Sequence, residues 1–232
     1  MATGRLVEVY LDLLSQPCRA VHILLTCTKI PHRVPSLVCA GEHRTLDFTK
    51  LNPMQKVPVM VDDGFVLTES DAILKYLATK YDVPEHWYPR QPERRARVDE
   101  YTAWHHTNTR PHAAKVFILE VRSQNPDFSG SLVDEARLNR ALSDLDDTLD
   151  KLESMFLRRQ PFLCGDDITV ADLLAACELT QPLGGGRDVL KERPQLQRWR
   201  SRVQSAVGEA FDKAHGVLYH IKETQQKCKN LY

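Results

Sequence analysis

A hydroxyl, a helix-starting proline and a thiol lie within four residues at Ser15-Gln16-Pro17-Cys18, where an apolar alternation gives way to an amphipathic run. A strand-to-helix junction of this kind presents unpaired backbone N–H groups and the positive end of a helix dipole, both of which favour a bound anion. A hydroxyl there can donate to a thiolate, lower its pKa and so raise the fraction of nucleophile near neutral pH. The same serine can equally be no more than a helix N-cap. Cys18, one turn further in, would feel the same dipole and could form mixed disulfides if exposed. Its spacing of three residues from Val21 favours packing instead.

Two further groups could hold a ligand. Lys56-Val57-Pro58 opens an apolar run. A cis Val57-Pro58 bond would leave the Val57 backbone to pair with an extended, peptide-like ligand, whereas a trans bond would simply start an edge strand. Thr68-Glu69-Ser70 precedes a helical pattern. N–H groups and the Ser70 hydroxyl could take a carboxylate there while Glu69 pairs with an ammonium, together an α-amino-acid head; alone, these residues also make a good helix cap. Other features read as structural. His105, His106 and His112 lack metal-ligand spacing and are taken as helix-surface residues, and Gly184 to Gly186 follow Pro182 without a phosphate-loop lysine and read as a turn. Arg94, Arg95 and Arg97 alternate with Glu93, Asp99 and Glu100, the pattern of a salt-bridged helix face.

The elements that must position these groups change in character along the chain. Leu6 to Leu13 alternates as a strand, and from Pro17 the spacing of Val21, Leu24, Leu25 and Thr28 is helical. HRVPSLVCA is extended, with Pro35 confining it to a sheet edge. VPVMVDDGFVL predicts a hairpin turning at Asp63-Gly64, and Leu74, Leu77, Ala78 and Tyr81 make one helical stripe. Three prolines between Val83 and Pro92 mark a linker, and beyond it the patterns are helical and long, as in ERRARVDEYTAWHHTNTRPHAAKVFILEV. Thr169 with Asp172 predicts a capping box, with Ile168 placed to staple onto Leu173. The expected division is a thioredoxin-like α/β domain over 1–81, a linker over 82–92 and an all-helical domain over 93–232.

Acidic and basic residues balance at 31 each among 232, which excludes a sustained field for nucleic acid or an anionic membrane. The six cysteines form no CxxC pair and no Cys/His zinc spacing, so reduced thiols in a cytoplasmic protein are expected, with no metal. No secretory core, membrane span, prenylation or peroxisomal signal is recognised.

The order of SQPCRA, GEH, LNPMQKVP, TESDAILKYL, WYP, RARVDEY and FLCGDDITVADL resembles that of the cytosolic glutathione S-transferases, with LDLLSQPCRA and HWYP similar to the theta class. The resemblance runs from about Val7 to His220. It implies a glutathione-binding thioredoxin-like domain and a helical domain that supplies most of the electrophile pocket. Carried onto this chain, it makes Ser15 the catalytic hydroxyl that stabilises the glutathione thiolate. His43 and Lys56 would hold the glycine carboxylate, Val57 before a cis Pro58 would pair with the cysteinyl unit, and Glu69 and Ser70 would bind the γ-glutamyl head. Arg110 would face the active site, and the protein would be a homodimer with glutathione as co-substrate and no metal. The implied activity is conjugation of glutathione to halides, epoxides, sulfate esters or activated alkenes, with reduction of organic hydroperoxides as a side activity. Two alternatives stand beside it: a thiol-disulfide reductase using Cys18, and a non-catalytic glutathione-binding module. Theta chains end in a further apolar segment over the active site, whereas this one finishes HIKETQQKCKNLY. A more open electrophile site is therefore expected, with faster product exchange and poorer exclusion of water.

Overall fold

The computed structural model describes residues 6–35, 42–124 and 134–229, except for the side chains of Glu42 and of residues 122–124 and 225–229. Strand β1 (Val7–Tyr10) leads into α1 (Gln16–Thr28), then β2 (His32–Arg33), a short 3-10 turn (Glu42–Arg44) and α2 (Leu46–Leu51). A hairpin follows, β3 (Val59–Asp62) and β4 (Phe65–Thr68), and α3 (Ser70–Lys80) closes the unit. The sheet order is β2-β1-β3-β4, with β1 parallel to β2 and antiparallel to β3. This is the thioredoxin-like order.

The alternation of β1 has its expected consequence: Val7, Val9 and Leu11 are buried on one face. They meet Val21, Leu24 and Leu25 of α1 and Leu74 and Leu77 of α3 in one core cluster. Of the extended piece after α1, His32 and Arg33 join the sheet at an edge, and residues 36–40, including Cys39, lie outside the described residues. The hairpin turns at Asp63 and Gly64, both at positive φ (51° and 83°), the conformation that a two-residue turn between twisted strands requires.

A 3-10 turn (Glu85–Trp87) precedes the helical part, which comprises α4 (Pro92–Thr107), α5 (Thr109–Gln124), α6 (Glu135–Lys151), α7 (Val170–Thr180), α8 (Pro194–Val207) and α9 (Glu209–Lys229). The long helical pattern from Glu93 to Val121 is broken into α4 and α5 at Asn108, whose φ of −125° and ψ of −80° leave the helix; Pro111 then falls in the first turn of α5, where its missing N–H does no harm. The polar tail continues α9 as far as Lys229, and residues 230–232 lie outside the described residues. The glycine run is more than a turn. Gly184 and Gly185 lie in a 3-10 helix against α5, and a Cβ on Gly185 would stand 2.8 Å from the Cβ of Glu120.

α7 is buried along its whole length and forms the axis of the helical part. The capping box is present: the Ala171 N–H donates to Thr169 Oγ1 (3.2 Å) and the Thr169 N–H to Asp172 Oδ2 (2.9 Å). Asp172 does more than cap. It also accepts from the Leu163 N–H (2.9 Å) and Trp199 Nε1 (2.8 Å), tying the preceding loop and α8 to the start of α7. Burial pushes its carboxyl up, against the lowering effect of these donors. Asp172→Ala would leave three buried N–H donors without an acceptor and is expected to lower stability by about 3–5 kcal/mol. Urea unfolding of the variant against the parent checks this.

Candidate active site

The register of the sheet brings three separate segments to one end. Val59 pairs with Tyr10 on one side and Thr68 on the other. Continuing one residue past that row gives Leu11 on the first chain, Pro58 on the second and Glu69 on the third. The loop to Ser15, the Lys56-Val57-Pro58 segment and the start of α3 therefore share one edge of the domain.

Ser15 occupies the N-cap position of α1 with extended backbone (φ −81°, ψ 123°), but its hydroxyl makes no capping bond to the helix. Asp12 does the shaping there. Its carboxylate accepts from the Leu14 N–H (2.9 Å) and its carbonyl from the Ser15 N–H (2.9 Å), a side-chain-supported turn that sets Ser15 at the head of α1. The Ser15 hydroxyl lies beside the Cys18 thiol and favours its ionised form. Cys18 itself is fully buried, and burial raises its pKa to about 11 despite the lowering contributions of Asp12 and Ser15. Desolvation overrides the helix dipole, so this thiol is a poor nucleophile near neutral pH.

The Val57–Pro58 peptide bond is cis, with Pro58 buried, Val57 half-buried and Lys56 exposed. Asn52 holds this segment: Nδ2 donates to the Lys56 carbonyl (2.8 Å), Oδ1 accepts from the Met54 N–H (3.0 Å) and the Asn52 carbonyl from the Gln55 N–H (2.9 Å). α2 packs below it, Phe48 meeting Tyr10 edge to face at 5.8 Å between centroids. His43, half-exposed, sits in the 3-10 turn just ahead of α2. Glu69 is exposed at φ 68° and ψ 117°, off the common regions for a residue with a side chain. Such a conformation costs about 1–3 kcal/mol and concentrates at ligand sites. Glu69 makes no side-chain cap, so the first N–H groups of α3 are left to other acceptors, beside a buried Ser70.

Within the helical part, Arg110 of α5 pairs through Nη1 with Glu178 Oε1 of α7 at 2.7 Å. Glu178 is buried on α7, and burial raises its pKa to about 7 against the pull of Arg110 and Arg19. His105 departs from its expected place: it is buried rather than on the helix surface, its pKa is lowered to about 3 by burial, and its Nδ1 lies 3.3 Å from the Tyr101 hydroxyl. His112 meets Thr148 (2.7 Å), and His106 is exposed. Among the described residues no cluster suited to a metal ion occurs. The arginines of α4 divide: Arg94 and Arg97 pair with Asp167 and Glu100, while Arg95 lies over the Tyr88 ring at 4.7 Å. Asn52, Asp12, Arg19 and Glu178 carry no sequence signal of their roles, since each acts through a backbone group or a partner distant in sequence.

A thioredoxin-like sheet with a strand-to-helix serine, joined to a helical domain, defines a class of thiol-handling enzyme, and comparison with known proteins agrees. The family model described as the N-terminal domain of glutathione S-transferase matches residues 15–80, and that of the C-terminal domain residues 112–206. The chain belongs to the glutathione S-transferase family and shares its fold and its transferase activity. Within the family it is similar to the theta class. It is 46% identical to glutathione S-transferase theta-1 of Bos taurus over 221 residues, 94% of this chain and 91% of the relative. The apo structure of human glutathione S-transferase T1-1 superposes with a TM-score of 0.86 at 46% identity, covering 94% of this chain and 91% of that one. A human theta-class enzyme in complex with the glutathione conjugate of 1-menaphthyl sulfate superposes with a TM-score of 0.86 at 39% identity, covering 97% and 92%.

Two outcomes follow from the burial of these groups. With its pKa at about 11, Cys18 carries a thiolate fraction of about 10⁻⁴ near neutral pH. Peptide-resolved alkylation by iodoacetamide should label it slowly in the folded protein and readily in denaturant. Glu178 titrates at about 7 in the folded protein against its ordinary 4.5. The folded state therefore binds the extra proton, and the group's contribution to stability is full below 4.5 and lost as pH rises to about 7. Glu178→Gln should reduce the difference between the melting temperatures at the two ends of that window.

Proposed function

We propose that this enzyme attacks small hydrophobic electrophiles with a glutathione thiolate stabilised by Ser15. The observation that carries the reading is a serine at the N-cap position of α1 whose hydroxyl makes no cap, on the same sheet edge as the Val57–Pro58 and Glu69–Ser70 segments. Glutathione is an extended γ-Glu-Cys-Gly tripeptide with two carboxylates and one ammonium. His43 and Lys56 hold its glycine carboxylate, the Val57 backbone pairs with its cysteinyl unit, and Glu69 and Ser70 take the α-amino-acid head at the start of α3. With the thiol bound near Ser15, the hydroxyl donates to sulfur and favours the ionised form; the sulfur lone pair then forms a bond to carbon as the leaving group departs with its electron pair.

The electrophiles are alkyl and aryl halides, epoxides and sulfate esters, with Arg110 at the helical side of the site. The human relative bound to a conjugate of 1-menaphthyl sulfate supports the last class. Reduction of organic hydroperoxides is a side activity. The chain divides into a glutathione-binding domain at 1–81, a linker at 82–92 and an electrophile-binding domain at 93–232. It works as a cytoplasmic homodimer, in detoxification. Burial of Cys18 weighs against the disulfide-reductase alternative.

Ser15→Ala and Cys18→Ala, assayed with an alkyl halide, a hydroperoxide and a mixed disulfide, test the reading. Loss of one preorganised donor lowers kcat/KM for conjugation by about 10²–10³ in the serine variant. The cysteine variant should keep conjugation near the parent level. Loss of disulfide reduction in the cysteine variant alone would make this a Cys18 reductase. Glutathione binding without turnover by the parent would make it a binding module.

A further inference from the structure

Arg19 is fully buried at the seam between the two domains. Its Nη1 donates to the carbonyls of Leu13 (2.8 Å) and Leu14 (3.1 Å), the two residues before Ser15. Its Nη2 donates to the carbonyl of Cys177 (3.0 Å), in the last turn of α7, and to the side-chain oxygen of Gln181. Gln181 completes the figure by donating its Nε2 to the Leu14 carbonyl (3.2 Å). The backbone N–H of Gln181 turns to the Glu178 carbonyl, which leaves the Cys177 carbonyl to the guanidinium at the negative end of the α7 dipole.

Cohesion alone does not account for a buried cation here. Arg19 Nε has no partner, and replacing buried charge with well-packed apolar side chains is often neutral or stabilising. What the planar fork adds is direction: one nitrogen grips the loop, the other the helical domain, and a lysine has no such pair of fixed donors. With Asp12 bonded to Leu14 and Ser15, three consecutive residues ahead of the serine hydroxyl are held.

We propose that Arg19 is a positioning residue for Ser15, holding from the end of α7 the loop that aims its hydroxyl at the glutathione sulfur, with Gln181 as its partner. The inference rests on the reading of Ser15 as the thiolate donor. A hydroxyl displaced by a fraction of an ångström stabilises the thiolate less, so loss of the clamp appears in the pKa of bound glutathione.

The test titrates the ultraviolet absorbance of the glutathione thiolate bound to the parent, Arg19→Lys, Gln181→Ala and Ser15→Ala proteins. Gln181→Ala keeps the arginine charge, so a shift there reports geometry rather than field. The thiolate pKa should rise by about one unit in Arg19→Lys and about half a unit in Gln181→Ala, with kcat/KM at about pH 6.5 falling about tenfold and threefold. Glutathione Kd should stay within about threefold, and activity should recover as pH is raised past the shifted pKa. Should Arg19→Lys fail to fold, Gln181→Ala decides alone. A thiolate pKa equal to the parent's in the folded clamp variants, with only a lower melting temperature, would overturn the positioning role while Ser15→Ala still raises it. A Ser15→Ala protein with the parent's thiolate pKa would remove the Ser15 reading and this inference together.

Discussion

The pairing of Val59 with both Tyr10 and Thr68 is the constraint on which the site depends. Side chains alternate along a strand, so sliding any of these strands by one residue would exchange its buried face for its exposed one. Burial of Val7, Val9 and Leu11 against α1 and α3 forbids that slip in β1, and the two-residue turn at Asp63-Gly64 forbids it in the hairpin. With register set by the core, the ends of three strands fall on one line, and the chain that leaves each end carries a polar group. The hydrophobic side of the sheet thus determines where its chemistry can stand.

Burial also selects which groups are silent. Cys18 and Cys177 are held protonated, with pKa values raised to about 11 and about 12, and His105 and His215 are held neutral with values lowered to about 3. Each shift has the same cause, the cost of charge in an apolar surrounding. These four groups therefore contribute neither thiolate nor imidazolium near neutral pH. Arg19 keeps its cation because four acceptors meet it, three of them backbone carbonyls. Glu178 is the intermediate case, balanced between desolvation and two nearby guanidinium groups. The seam between the domains is consequently polar and directional where most of the core is apolar and isotropic.

Local pattern made much of the fold legible. The period of two in Leu6 to Leu13, the Asp63-Gly64 turn and the Thr169–Asp172 box depend on interactions within a few residues, and each appears in the structure close to its expected place. The misread features are those where tertiary contact competes with local preference. The helical pattern running through Asn108 is broken although charge and periodicity continue, and His105 is drawn into the core by its packing with Tyr101 although the adjacent His106 stays exposed. Gly184 and Gly185 are required by the approach of α5, a contact between segments some 65 residues apart in a chain with no local record of it.

By itself the sequence determined most of the secondary elements, their order and the residue types at each strand end, because hydrophobic period, capping and turn chemistry act over one or two turns of chain. Tertiary structure alone decided that the Ser15 hydroxyl is not spent on a cap, that Glu69 stands at positive φ, and that Arg19 bridges Leu13 to Cys177. Those outcomes turn on desolvation and on hydrogen bonds to backbone groups. A carbonyl has no letter in the sequence, and the cost of burying a charge is set by what folds over it.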